Sequence, residues 1–376
     1  MRNSEARRRR VGAIVVLLTV AIGAAACSGT TDQQVAVTSA PTSVASSTSS
    51  TATTSTTVAR NSLGNGETVT LAFAGDANFE GLDGALAANP TGLLRAITPL
   101  LSDADVTVVN FEAALGTRGV RQPKAFNFHA PPSALDALRA AGVDAVSMAN
   151  NHGMDFGPEG LADSLAIEQA EKFPVIGVGA DDAEAYAPYE VEVRGQRIGV
   201  IAANDVFDDP LRAAWTAGPG KPGIASAEEA HQERLADEVR RLRQRSDTVA
   251  VILHYGLEKQ TCPNERQKAL AKLLLDAGAD IVVGGHPHRV QGAGFLGDKA
   301  VAYSMGNFIF PGRSAGGAET GVLKITATGH RIDAVEWRPA TIRGVIPYPA
   351  APGPGLAHMA QLRSCAGLTE RPSTGG

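Results

Sequence analysis

Apolar residues come in short runs between polar, glycine-containing turns, and the runs alternate between two periods. At 68–74 β-branched and apolar residues alternate and end in Gly75-Asp76, a strand running into a loop. Residues 105–111 repeat the pattern around Asn110 and lead to Glu112. Over 133–141 the spacing turns helical, with Leu135 and Leu138 on one side and Gly142 as the stop. A strand at 143–148, a helix at 158–171 and a short strand at 175–178 follow. Segments 190–193 and 197–202 flank Arg194-Gly195-Gln196 and predict a β-hairpin. Next come a charged helix at 227–244, a strand at 248–253 ending before His254, and a helix at 266–276 closed by Gly278. A strand at 280–283 then runs into Gly284-Gly285-His286, and strands at 300–303, 322–326 and 332–337 complete the pattern. This alternation predicts one α/β domain over 66–345, without internal repeats. A Pro/Gly-rich C-terminal tail is expected at 346–376.

Before residue 66 the pattern differs. Arg2 and Arg7 to Arg10 precede an apolar run over 11–26, which is short for a bilayer-crossing helix and suits a secretory signal peptide at 1–26. Ala24-Ala25-Ala26 runs into Cys27, and small residues before a cysteine resemble a bacterial lipobox, with Cys27 lipidated. The alternative is ordinary cleavage and free secretion. Residues 27–65 are rich in Ser, Thr and Ala, cannot bury enough surface to offset ordering entropy, and read as a disordered tether. The expected place is therefore outside the cell, on the outer face of the membrane.

Composition narrows the function classes. The 376 residues are 44% hydrophobic and 19% charged with net charge −5, a globular balance without the basic surplus of a nucleic-acid binder. Removing residues 1–26 takes away five arginines and one glutamate, a net +4, so −5 becomes −9. An anionic substrate then needs a local cation to hold it. Of the three cysteines, Cys262 and Cys365 are expected to pair in an exported protein, pinning the tail to the domain; the alternative is two free thiols.

Ligand-type residues stand at successive strand ends: Asp76, Asn110/Glu112, Asn151/His152, His254 and His286/His288. One such residue is ordinarily a helix cap or a loop hydrogen-bonder. Five consecutive strand ends converge, because the ligand crevice of an open α/β sheet lies at the carboxyl ends of its strands. Imidazole, carboxylate and amide oxygen together suit one or two divalent ions such as Mn, Fe or Zn. His286-Pro287-His288, read as extended, directs both imidazoles to one side. Ala302-Tyr303-Ser304-Met305-Gly306 is one residue from a nucleophile elbow, but Asn307 to Pro311 reads as strand where the elbow requires a helix.

In order, the chain carries Gly75-Asp76, Asn110-Phe111-Glu112, Ala149-Asn150-Asn151-His152 with Asp155 and Gly157, and His254-Tyr255-Gly256-x-Glu258. Gly285-His286-Pro287-His288-x-x-Gln291 and Tyr303-Ser304-Met305-Gly306-Asn307-Phe308 follow. This set resembles the bacterial capsule-synthesis CapA family, associated with poly-γ-glutamate, over about residues 68–313. The resemblance implies the calcineurin-like metallophosphoesterase fold, a four-layer α/β/β/α sandwich. It implies metal ligands at Asp76, Glu112, Asn151, His254, His286 and His288. His152 would be the catalytic imidazole with Asp155 beside it; Asp155 and Glu258 would orient imidazoles from behind, and Asn307 would point into the cleft. Asp76-Ala77-Asn78 lacks the second imidazole of the usual Asp-x-His, and Glu112 stands where a bridging Asp is usual, which leaves one ion or two open. The implied activity is metal-dependent hydrolysis of a phosphoester-type bond in surface-polymer metabolism. The alternative is a non-catalytic component that binds or guides an anionic surface polymer.

Overall fold

A computed structural model describes residues 63–312 and 315–372. The expected signal peptide, Cys27 and the tether up to residue 62 lie outside the described residues. The described residues fall within the compact unit Val58–Gly376. Among them, no helix is long and apolar enough to cross a membrane.

Two sheets carry the fold. In the first, the parallel strands Val69–Ala77, Val106–Phe111, Ala145–Ser147 and Val175–Ile176 lie side by side. Beyond Val69–Ala77 it continues antiparallel through Glu319–Thr328, Arg331–Arg343 and Ile346–Pro349. In the second, Gln196–Asn204, Thr248–His254, Ile281–Gly285 and Lys299–Ala302 are parallel. Its edges are the antiparallel strands Tyr189–Val193 and Ala293–Leu296. Parallel strands are covered on both faces, which is why their sequences read as unbroken apolar runs.

The period of two sorts the second sheet into two cores. Val200, Ala202, Ala250, Ile252, Val283 and Ala302 share one core with residues of the first sheet. Their neighbours Ile201, Ala203, Val249, Val251, Val282 and Val301 share another with Leu235, Val239 and Leu242 of helix Gln232–Arg245 and with Leu270 and Leu274 of helix Glu265–Asp276. Helices Ser133–Ala140 and Gly157–Glu171 bury Leu135, Leu138 and Leu161 in the first core. The result is an α/β fold in which two sheets share a core and helices cover them.

Three segments depart from the sequence reading. Residues 83–101 hold three short helices, Asp83–Ala88, Pro90–Leu93 and Thr98–Leu101, too short to show a periodic face. The charged helix expected from 227 begins at Gln232, because Ala227 donates its N–H to Asn204 and accepts from Arg266, outside any helical ladder. The C-terminal segment 346–376, expected as a Pro/Gly-rich tail pinned by a disulfide, is regular structure over most of its described length. Ile346–Pro349 closes the first sheet, and helix Pro352–Ala366 buries Met359, Leu362 and Ala366. Arg363 donates to the Ala293 carbonyl at 2.7 Å, and a disulfide joins Cys365 to Cys262. Apolar packing thus outweighs the two helix-breaking glycines, Gly353 and Gly355.

Asp105 clamps the two sheets together. Its Oδ2 accepts the N–H and hydroxyl of Thr70, both at 2.8 Å, and Arg194 from the hairpin turn donates to both carboxylate oxygens at 2.7 and 2.6 Å. The Arg194 guanidinium is the main reason the Asp105 carboxyl is held down at about 2. A depressed carboxylate adds stability above its unfolded value, 3.8, and loses it as pH falls through about 2. Asp105→Asn is therefore expected to lower unfolding stability by about 1–2 kcal/mol at neutral pH. In urea titrations that deficit should shrink as the pH approaches 2; a deficit constant across the range contradicts the clamp.

Candidate active site

The carboxyl ends of the central strands from both sheets meet at one place. Asp76 lies near the end of the first strand, Glu112 just past the second, Asn150 to His152 after the third. From the other sheet come His254, the last residue of its strand, and His286, just past Gly285. Two glycines allow the approach. A Cβ on Gly75 would fall 1.9 Å from the Gly306 carbonyl oxygen, which accepts the Asp76 N–H at 2.9 Å. A Cβ on Gly285 would fall 2.4 Å from Asp76 Oδ1.

Glu112 is the centre of the arrangement. It is fully buried, and neither carboxylate oxygen has a hydrogen-bond partner. Three imidazole Nε2 atoms surround its Oε1: His254 at 3.5 Å, His152 at 3.9 Å and His288 at 3.9 Å. Asp76 Oδ2 lies 3.3 Å from His288 Nδ1 and accepts the His286 N–H at 3.2 Å. One ligand atom from each of Asp76, Glu112 and His288 lies within 4.8 Å of the others. The His254 ring stands 5.0 Å from that of His286, whose buried Nδ1 has no partner. Buried polar atoms without partners are rare in folded proteins. Orphaned carboxylate and imidazole atoms gathered in one buried cluster fit a divalent ion.

A chain of amides holds these groups. Asn110 Nδ2 donates to Asp76 Oδ1 at 2.8 Å and to His254 Nδ1 at 3.2 Å. Asn150 donates to Asn110 Oδ1 at 3.1 Å and accepts the His152 N–H at 3.0 Å. With Nδ1 accepting, His254 carries its proton on Nε2, which meets Asn151 Oδ1 at 2.9 Å. His152 Nδ1 lies 2.6 Å from Asp155 Oδ2, and Asn307 Oδ1 lies 2.8 Å from His288 Nδ1. Phe128 packs on His152 at 4.3 Å and Phe310 on His288 at 4.8 Å, limiting water on that side.

Burial and charge divide the titrating groups. Burial pushes Glu112 up to about 8, and the Asp76 charge adds to it. Burial also opposes charge on Asp76, but His288, by hydrogen bond and charge, holds that carboxyl below its ordinary value. His288 is buried too, yet the Glu112 and Asp76 carboxylates override burial and raise it to about 9. Burial lowers His254 to about 3 and drives His286 down as well. Both are neutral imidazoles at physiological pH.

The structure gathers Asp76, Glu112, Asn151, His152, Asp155, His254, His286, His288 and Asn307 into this cluster. Glu258 is exposed and hydrogen-bonds to no imidazole among the described residues, but its charge acts on His254 and His288. Gly256 and Lys259, at φ +98 and +65, carry its loop through turns. The expected extended His-x-His segment is also corrected. His286 and His288 have φ of +93 and +52, so their rings meet across a strained turn, 6.0 Å apart. Such strain costs about 1–3 kcal/mol per residue and gathers at functional sites. Ser304 is buried, accepts the Gly306 N–H, and precedes the strand Asn307–Ile309 without the helix of a nucleophile elbow. Sequence reasoning misses Lys124, Asn150 and Phe128, and it names Asn110 without showing that Asn110 ties Asp76 to His254. Asn150, inside the Ala-Asn-Asn-His motif, is the legible one.

The profile of the family described as bacterial capsule synthesis protein PGA_cap matches residues 70–312. The PGA biosynthesis protein CapA of Bacillus subtilis is 28% identical over 222 residues, 58% of this chain and 56% of that protein. The capsule biosynthesis protein CapA of Bacillus anthracis is 30% identical over 226 residues, 58% of this chain and 53% of that one. The chain thus spans about half the length of these relatives. A solved hypothetical protein from Thermus thermophilus overlaps 73% of this chain and 100% of its own at 22% identity and a TM-score of 0.44, too loose to bear on the site.

Metal binding should be coupled to proton release. Glu112 and His288 hold protons up to about 8 and about 9, and coordination requires their loss. Apparent Mn²⁺ affinity should therefore rise steadily between pH 6 and pH 9, on the order of tenfold per proton released. Calorimetric titration in buffers of different ionisation enthalpy counts those protons; affinity independent of pH contradicts the assignment. Without metal, the raised Glu112 lowers stability as pH climbs from 4.5 towards about 8, so added Mn²⁺ should raise Tm more at pH 8 than at pH 6.

Proposed function

Because the chain belongs to the bacterial capsule synthesis protein PGA_cap family, we propose that it is an exported, metal-dependent hydrolase of phosphoester-type bonds in capsule or related surface-polymer biosynthesis. The names of its relatives, which refer to PGA and capsule biosynthesis, support the polymer context. The observation that carries the chemistry is Glu112: a buried carboxylate with no hydrogen-bond partner, ringed by three imidazole nitrogens.

Asp76, Glu112 and His288 would hold a divalent ion, with His286, whose Nδ1 is unpartnered, as a further donor; His254 and Asn151 would join only by giving up the hydrogen bond between them, and Mn, Fe and Zn all suit this donor set. When bound, the ion supplies positive charge that binds the substrate anion and stabilises the charge developing in hydrolysis. The rest is the work of the chain's own groups. His152 Nε2 faces the same place, positioned to take a proton from the attacking water and pass it to the departing oxygen, and Asp155 holds its other nitrogen. The basic and apolar run of residues 1–26 and Cys27 support export to the outer face of the membrane.

A non-catalytic reading draws on one observation. At Asn78, where an imidazole is usual, the buried Nδ2 is unpartnered. Such a protein would use the metal to bind an anionic polymer without turnover.

Purified protein loaded with Mn²⁺ should hydrolyse bis(4-nitrophenyl) phosphate or 4-nitrophenyl phosphate. His152→Ala should lower kcat by about 10²–10³-fold while metal content stays the same. His286→Ala should lower both. No turnover despite full metal loading favours the binding reading, and activity unchanged in His286→Ala removes the enzyme reading.

A further inference from the structure

Lys124 lies on the loop between Ala114–Leu115 and His129–Ala130, and its side chain is only 4% exposed. Burying an ammonium group costs several kcal/mol unless partners surround it. Lys124 has them: Asp155 Oδ1 at 3.0 Å, Asp208 Oδ2 at 3.0 Å, the Asn151 carbonyl oxygen, and the face of Trp215 at 5.1 Å. Two of the four belong to the turn Asn151 to Asp155, which carries His152. The Asn151 backbone is held by Lys124 while its side chain meets His254.

The contacts around Asp155 decide which nitrogen of His152 bears the proton. Its Oδ1 forms an ion pair with the Lys124 ammonium at 3.0 Å, which favours the ionised carboxylate, and its Oδ2 accepts the Phe128 backbone N–H at 2.6 Å, which can only donate. A cation beside one oxygen and an obligate donor on the other leave the carboxylate as an acceptor. The remaining contact, at 2.6 Å, is then donation from His152 Nδ1–H. That leaves the lone pair on Nε2, the nitrogen facing Glu112 at 3.9 Å.

We infer that Lys124 is a positioning residue: by occupying Asp155 Oδ1 and the Asn151 carbonyl, it fixes the tautomer and orientation of His152. The inference rests on the hydrolase reading for its consequence in turnover, but not for the tautomer. It also gives the exposed-looking Gln122-Pro123-Lys124 stretch a function outside the strand-end motifs.

The test compares wild type, Lys124→Met, Lys124→Gln and Asp208→Asn. Asp208→Asn weakens the outer ion pair and leaves Asp155 untouched, so it controls for a role that is merely structural. In ¹⁵N-histidine NMR of the metal-free protein, wild type and Asp208→Asn should show His152 as the Nδ1–H tautomer. Lys124→Met should shift it towards Nε2–H or an average. With Mn²⁺, Lys124→Met should lose about 10–100-fold in kcat, with KM and metal content unchanged, while Asp208→Asn stays within about threefold. Should Lys124→Met fail to fold, Lys124→Gln, which still donates one hydrogen bond, should show the same tautomer shift and an intermediate kcat. An unchanged His152 tautomer in the folded variants, or kcat falling equally in Asp208→Asn, overturns the inference. A tautomer shift in a protein whose wild type turns over no phosphoester supports the positioning role and sinks the hydrolase reading instead.

Discussion

The fold is organised around a carboxylate that water cannot reach. Glu112 is buried without a hydrogen bond on either oxygen, an arrangement that costs several kcal/mol unless a cation or a proton compensates it. Everything near it makes sense as support for that burial. The parallel strands of two sheets deliver Asp76 and Glu112 from one side and His254 and His286 from the other. Gly75 and Gly285 remove the side chains that would keep the sheets apart. The positive φ of His286 and His288 is further strain tolerated in the same place.

Around this centre the polar groups form a directed network. Asn150 orients Asn110, Asn110 fixes Asp76 and His254, and Asp155 fixes His152. Because backbone amides and a lysine can only donate, the network has little freedom to reverse, which is how a site keeps its geometry before any ligand arrives. The outlying parts serve the same end. Gln291 Nε2 donates to the carbonyls of Gln260 and Cys262, on the loop that the disulfide ties to the C-terminal helix.

Much of this is legible in the sequence because buried parallel strands are continuous apolar runs, and a ligand-type residue just after such a run is easily seen. Asp76, Glu112, His254 and His286 are found in this way. What escapes has a physical reason in each case. Helix Pro352–Ala366 contains Gly353 and Gly355 and is held by packing against the sheets, which no local propensity reports. Lys124 is of a residue type that is almost never buried, so nothing in its neighbours announces the ion pairs that bury it. Glu258 is the converse case: four residues after His254, it stays in solvent beside the turns at Gly256 and Lys259 and reaches His254 and His288 through its charge and not by a hydrogen bond. Sequence distance places residues along strands well and around loops poorly.

The central claim is that Glu112 is buried bare because a divalent ion completes it. Elemental analysis of the purified protein tests this most directly, with Glu112→Gln prepared in parallel. The account predicts about one or two equivalents of a transition metal per chain in the wild type and loss of most of it in the variant. A wild-type protein that is folded, free of metal and unable to take up Mn²⁺ or Zn²⁺ would contradict it.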